Sequence, residues 1–306
     1  MRAVHADIYL CGWRVQAGLP LPATIPWPDP SAGRPDLTFV RGAAPESLAQ
    51  PIVDHSVLQI ADDGTALVKF VDIGRFHLQG DRLVCDLEVP PDAPELTAAI
   101  FGNVLVSICS RFGQLPLHGS AVAIADRAVI LLGRAGTGKS LLAAALLQRG
   151  HCALADEVAA TADGLCFPAG STLSLADDAL ALLGIDPTKL PEYVNFPIPK
   201  RLWTTGPSPA PRPYPVAAVV CLSKAPSDGP NEPQAQLKGD AAASAILNHV
   251  FRRDMLRLPN FETRATQAAA ALAAAAPVYD FPVARSLERV AEATDRIERL
   301  AKYMVT

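Results

Sequence analysis

The sequence predicts an α/β fold in two parts, a smaller β-rich N-terminal domain over residues 1–92 and a larger strand-and-helix domain over residues 93–306. Three observations predict it. Short alternating or β-branched runs, broken by turn residues, fill the chain up to residue 89. A stiff connector, Pro90-Pro91-Asp92-Ala93-Pro94, follows them. Behind it an apolar strand, a glycine-rich loop and an uninterrupted helix succeed one another directly, the opening of a parallel α/β unit.

Each element can be justified in order. Residues 7–15, 37–41, 56–60, 66–71, 76–78 and 82–89 read as strands, separated by turns such as Asp62-Asp63-Gly64 and Gln79-Gly80-Asp81. The proline-rich stretch 19–35 can be neither a regular helix nor an inner strand, because proline fixes φ and brings no amide donor. Residues 95–112 carry an apolar face at helical spacing. Residues 115–125 form a strand bearing His118 and Gly119, Asp126-Arg127 a turn, and residues 128–132 an apolar strand that runs into the glycine loop. Leucine and alanine make residues 139–149 a helix, which Gly150 stops in a left-handed conformation. A second apolar strand, 152–155, ends at Asp156 and Glu157, and residues 158–167 read as a hairpin about Asp163-Gly164. The proline-dense segment 187–215 reads as loop, 216–222 as an apolar strand, and the chain from 240 onward as mostly helical. No repeat of fixed period occurs.

Composition excludes several classes. Half of the residues are apolar, enough for a substantial core, and a net charge of −4 leaves no basic excess to neutralise a nucleic-acid backbone. The apolar run 96–109 and the alanine tract 268–276 both fall short of the roughly 20 residues a spanning helix needs, so no membrane is expected; alanine suits a packed helix instead. The opening MRAVHADIYLCGWRV has no apolar core of a secretory signal. Cys11, Cys85, Cys109, Cys152, Cys166 and Cys221 form no C-x-x-C pair and read as core residues in a reducing cytoplasm, the expected location.

Gly133-Arg134-Ala135-Gly136-Thr137-Gly138-Lys139-Ser140 matches G-x-x-x-x-G-K-[ST] at every fixed position, with a strand before it and a helix after it. That pattern binds the phosphates of a nucleoside triphosphate, here ATP with Mg²⁺. Glycines let amide groups converge on phosphate oxygens, and the helix N-terminus adds its positive end. Lys139 is expected at the β and γ phosphates, and the Ser140 hydroxyl on Mg²⁺. A parallel crossover would return the next strand to the same end of the sheet and set Asp156 and Glu157 beside the phosphates. Asp156 is assigned as the general base for an attacking hydroxyl and Glu157 as a direct or water-mediated Mg²⁺ partner. The alternatives are an exchange of these roles, or a pair that caps the strand and faces solvent. His118, alone beside an apolar strand, reads equally as a hydrogen-bonded core residue.

The runs LHGSAVAI, LLGRAGTGKS and LLAAALLQRGHCALADEV, with the acids only seventeen positions after the loop lysine, resemble the catalytic domain of HPr kinase/phosphorylase, a family related in its core to phosphoenolpyruvate carboxykinase. Close similarity covers residues 115–158. YLCGWRVQAGLPLP, ILNHVFRRDML and APVYDFPVARSLERV resemble the shorter HPr-kinase-related proteins encoded beside lasso peptide pathways, which phosphorylate a serine of a precursor peptide. The resemblance implies a P-loop catalytic domain and phosphoryl transfer from ATP, with Mg²⁺, to a serine of a peptide or small protein. It also implies an Asp base at Asp156 and a His near the γ phosphate at His118. Two departures stand out: Glu157 replaces the family's usual Asp, and the family's Leu-Glu-Ile-Arg-Gly-Leu-Gly segment is missing. The second removes the grounds for reverse phosphorolysis, a hexamer, or HPr recognition, and leaves a homo-oligomer open.

A basic residue must offset charge on the transferring group, and Lys200, Arg201, Arg212, Arg252 and Arg253 are candidates by charge alone. An ATP-hydrolysing switch and an HPr-type carrier-protein kinase are the competing readings. A carboxykinase is weaker, for want of its additional metal-binding and oxaloacetate-binding residues.

Overall fold

The computed structural model describes residues 6–21, 24–29, 33–193, 199–204, 206–224, 235–253, 260–283 and 286–302. The first part of the chain is a nine-stranded mixed sheet. Its spatial order is Ile25–Pro26, Ala6–Leu10, Trp13–Ala17, Leu37–Arg41, Arg82–Leu87, Gly74–Gln79, Ala66–Phe70, Leu58–Ala61 and Pro51–Asp54. The run expected over 7–15 is a hairpin and not one strand, because Cys11 and Gly12 both take left-handed φ, 50° and 95°, and turn the chain in two residues. The proline-rich stretch supplies only the two-residue edge strand Ile25–Pro26. Pro51–Asp54, at the other edge, lay outside the expected strands.

Alternation turns Leu37, Phe39, Phe76, Leu78, Leu83 and Cys85 inward, and one buried apolar cluster runs from them into the helical segment that follows. The expected boundary at 92/93 lies between the sheet and that segment. The helix expected over 95–112 is kinked into Pro94–Ala99, a π turn at Ile100–Val104, and Leu105–Arg111. Gly102 leaves helical geometry there, at φ −99° and ψ −113°, a departure that a residue without Cβ accepts readily.

The second sheet is organised by the long strand Leu115–Ile124. Its first half pairs with Val158–Ala162, and its second half lies between Arg127–Gly133 and Cys152–Ala155. Arg127–Gly133 pairs in parallel with Tyr214–Lys224, which pairs in parallel with Val278–Val283. The acid-bearing strand Cys152–Ala155 therefore runs in the same direction as the loop strand, one strand away. The hairpin about Asp163-Gly164 forms as expected, Val158–Ala162 pairing with Leu165–Phe167.

In the rest of the chain one expectation is corrected, and another holds with one exception. The segment read as loop over 187–215 contains Lys200–Thr204, which pairs with both Thr172–Leu175 and Glu192–Tyr193 in a three-stranded sheet; residues 194–198 and 205 lie outside the described residues. The prolines hid a strand that sits between them. The C-terminal region holds helices Gly239–Leu247, Phe261–Ala275 and Leu287–Lys302, but Val278–Val283 is a strand docked on the apolar Tyr214–Lys224. The alanine tract lies mostly within Phe261–Ala275, which buries Phe261, Ala265, Ala269 and Leu272 on one face. Among the described residues no helix is long and apolar enough to cross a membrane.

Candidate functional site

The glycine loop leaves the end of its strand in a conformation fixed by its own residues. Thr137 donates through its amide (3.2 Å) and its hydroxyl (2.8 Å) to the Arg134 carbonyl. A Cβ on Gly133 would lie 2.6 Å from Thr137 Oγ1 and 2.9 Å from the Leu222 carbonyl, so that glycine is required by close approach. Gly136 and Gly138 have open space around them but φ of 77° and 101°, and Gly138 precedes the helix Lys139–Gln148. That helix is buried along nearly its whole length, which anchors the loop that feeds it.

Lys139 is folded back under the loop. Its ammonium donates to the carbonyls of Gly133 at 2.9 Å and Arg134 at 3.3 Å, and lies 3.3 Å from His118 Nε2. Burial lowers its pKa, against the pull of Glu157 and Asp156.

The strand Leu115–Ile124 brings two more residues. His118 is fixed by its amide on the His249 carbonyl at 2.7 Å and by the Phe251 ring, 5.0 Å away between centroids. Burial and the neighbouring Lys139 ammonium hold its pKa down at about 4, so the ring is neutral near pH 7. An ammonium has only hydrogens to offer, so Nε2 presents its lone pair to Lys139 and the ring proton sits on Nδ1. Nδ1 has no hydrogen-bond partner among the described residues and lies 3.7 Å from Glu157 Oε2. Ser120, wholly buried, donates to Asp156 Oδ1 at 2.5 Å.

The two acids diverge because the strand ends at Ala155 and Glu157 takes φ of 67°. Asp156 turns to the loop. It accepts from Ser140 Oγ at 3.0 Å, from Ser120 Oγ, and from the Ser174 amide at 2.7 Å. Burial and then the Glu157 charge raise its pKa, while Lys200, Ser120 and Ser174 work the other way. Glu157 turns toward His118 and accepts a hydrogen bond from Lys200. Burial alone would raise its pKa; the Lys200 ammonium outweighs this, and the net shift is downward.

Two clefts meet at these residues. One, of about 500 Å³, is lined by Gly136, Gly138, Lys139, Ser140 and Asp156 and extends to Asp177 and Asp178. The other, of about 600 Å³, is lined by Phe70 of the first sheet, Gly102 and Asn103 of the kinked helix, Arg134, and the segment 248–252. His118, Ala135, Glu157 and Lys200 line both and form the wall between them.

The residues expected from the loop motif and the resemblance are gathered here, Gly133 to Ser140 together with His118, Asp156 and Glu157. Sequence reasoning missed Ser120, the Ser174 amide, His249 and Phe251, which come from distant segments and carry no motif. Of the five basic candidates, three are engaged elsewhere: Arg201 with Asp177 and Glu192, Arg212 with Asp126, and Arg253 with Glu262. Lys200 and Arg252 remain in the second cleft.

The residues present fit Mg²⁺. Among the described residues there is no cluster of three or more His, Cys, Asp or Glu able to hold a metal by itself. Ser140 and Asp156 instead offer a hydroxyl and one carboxylate beside the glycine loop, the kind of sparse oxygen set that Mg²⁺ completes with phosphates and water.

No family model and no curated protein matches this sequence. Among solved structures the chain is similar to the HPr(Ser) kinase/phosphatase from Coxiella burnetii, at 17% identity over 62% of this chain and 95% of that one, with a TM-score of 0.31.

Proposed function

We propose that this chain is an ATP-dependent kinase that phosphorylates a serine of a peptide or small protein, in the narrower reading a ribosomal precursor peptide of the lasso type. One observation carries the kinase reading: a phosphate-loop cleft and a second, larger cleft share a wall made of His118, Glu157 and Lys200. A switch that only hydrolyses ATP needs room for water behind the γ phosphate, not a second cleft of about 600 Å³. The precursor-peptide reading rests on the sequence resemblance alone.

In this mechanism the loop amides and Lys139 hold the triphosphate; Ser140 and Asp156 would hold Mg²⁺, whose charge would offset that of the phosphate oxygens. The acceptor hydroxyl enters from the second cleft in line with the γ phosphorus. Its oxygen forms the new P–O bond as the bond to ADP breaks, and its proton passes to the Glu157 carboxylate. Such transfers depend mainly on positioning and electrostatics, so a carboxylate of lowered pKa suffices as proton acceptor.

This exchanges the roles assigned from sequence. Asp156 is the more basic group, but of the two clefts it lines only the one beside Ser140 and the loop, whereas Glu157 lines both. Geometry takes precedence over basicity in choosing a base.

The test is incubation with labelled ATP, Mg²⁺ and serine-terminated peptides, read by mass spectrometry. One phosphate gained on serine, lost in Lys139→Ala, is the expected result. Glu157→Gln should lower kcat at unchanged Mg²⁺ requirement, and Asp156→Asn should raise that requirement. ATP consumption that no peptide diverts into phosphopeptide would replace the kinase reading by the switch.

A further inference from the structure

A cleft of about 600 Å³ is far larger than a serine hydroxyl needs, and part of its lining does nothing for phosphoryl transfer. Phe70, Ala98, Gly102 and Phe251 all line it, and their side chains offer neither charge, proton nor metal ligand. They come from three parts of the chain: the nine-stranded sheet, the kinked helix, and the segment 248–252.

Phe251 sets apolar surface against the wall between the clefts. Its amide donates to the Pro116 carbonyl at 2.9 Å, and its ring lies 5.0 Å from the His118 ring between centroids. Ala98 and Gly102 stand one helical turn apart and are both small. A Cβ on Gly102 would meet no atom within 4 Å, so the cleft is open up to the helix backbone there. Phe70 ends the strand Ala66–Phe70 and is half-buried, with its ring edge-on to the wholly buried Phe76 at 6.1 Å, which holds it in place. The next residue, Val71, is 85% exposed, the highest value among the described large hydrophobics, so this end of the sheet keeps apolar surface in water.

The occupant follows from reach. An acceptor serine must come to the wall that His118 and Glu157 form, and each further residue of an extended chain advances by about 3.3–3.6 Å. With the Phe251 ring 5.0 Å from His118, the side chains that meet this surface belong to the serine's own neighbours in the acceptor. Covering apolar surface with an apolar group releases the water against it, and a polar group there would lose solvent without gaining a partner.

Resting on the kinase reading, we infer that the second cleft is a subsite for a bulky apolar side chain, aliphatic or aromatic, carried by the acceptor within about three residues of its serine. Phe70 and Phe251 supply the contact, and Ala98 and Gly102 leave the room. The nine-stranded sheet thereby takes part in choosing the acceptor, through Phe70.

The experiment uses serine-terminated peptides in which one of the three positions before the serine is Ala, Gln, Leu or Phe and the others are held constant. With ATP and Mg²⁺, Leu or Phe at one of these positions should raise kcat/KM about tenfold over Ala, chiefly through KM, while Gln, of similar length to Leu, should behave as Ala. Ala98→Leu fills the room without weakening the helix, and should take the advantage from the Leu and Phe peptides while slowing the Ala peptide little. Phe70→Ala should reduce the advantage to about threefold. Equal kcat/KM for apolar and Ala peptides at all three positions in the unaltered protein overturns the inference, whether or not the variants fold. So does an advantage that Ala98→Leu and Phe70→Ala both leave intact while slowing every peptide alike. Fluorescein-labelled versions of the same peptides, titrated by anisotropy, separate the two levels. A preference for apolar peptides in binding without any transfer defeats the kinase reading alone, and an absence of preference in both binding and transfer defeats this inference.

Discussion

Lys200→Met tests the centre of the site most directly. Lys200 donates to Glu157, and their side chains are 29% and 31% exposed, so the pair is neither bare to solvent nor sealed. Removing one partner of a buried pair costs about 3–5 kcal/mol, and a fully exposed pair contributes about 0–1 kcal/mol. The intermediate exposure sets the expectation at about 2 kcal/mol at neutral pH. The pH dependence follows from the sign of the shift. In the native protein Lys200 pulls the Glu157 pKa down, so the pair stabilises the fold above the ordinary glutamate value and that contribution fades as pH falls through the lowered value. Without Lys200, burial is the largest remaining influence on Glu157, and its ionised form has lost its hydrogen-bonded partner. The deficit of the variant should therefore be full near pH 7 and shrink as pH drops below about 4.3, where protonated Glu157 needs no partner. Urea unfolding of both proteins across this range measures it. Equal stability at neutral pH, or a deficit that does not change with pH, would refute the reasoning.

Three further outcomes are expected. Ser120→Ala removes a buried donor to Asp156 and should weaken Mg²⁺-dependent binding of a fluorescent ATP analogue about tenfold, leaving metal-free binding unchanged; an equal loss without metal would contradict this. Gly119→Ala would put a Cβ 2.7 Å from the Leu131 carbonyl oxygen and 2.8 Å from Leu132 Cδ2, a clash worth about 1–3 kcal/mol that thermal unfolding should register and an unchanged melting point would exclude. His118, held at about 4 against an ordinary 6.5, contributes stability that is complete above pH 6.5 and is lost as pH falls toward 4; His118→Gln should flatten that part of the stability profile, and an unaltered slope would assign it to other groups.

The parts of the site legible in the sequence were those fixed by local chemistry. Gly133, Gly136 and Gly138 are required by φ or by close approach within their own loop, so a short window suffices to find them. Asp156 and Glu157 were placed correctly at the end of the acid strand, because a helix and a short strand leave little choice of return path. The division of labour between them was not legible. It depends on the left-handed backbone of Glu157 and on donors from Ser120, Ser174 and Lys200, which meet only after two sheets have formed and packed together. Lys200 was a candidate by charge alone; the prolines around it hid the strand that carries it, whose partners are Thr172–Leu175 and Glu192–Tyr193. The kink at Gly102 was equally invisible, since the apolar spacing on either side continues as one helix.

By itself, then, the sequence determined the glycine loop, its strand and helix, the two carboxylates at the neighbouring strand end and the β-rich character of the first part. Each of these follows from backbone preference and side-chain periodicity over a few residues. Tertiary structure alone decided that Asp156 faces the loop, that Glu157 and His118 stand between two clefts, and that Arg134 and Arg252 converge on the second. The physical reason is distance along the chain: hydrogen bonds and charges between remote segments act only once packing has brought them within a few ångströms, and no local pattern encodes that approach.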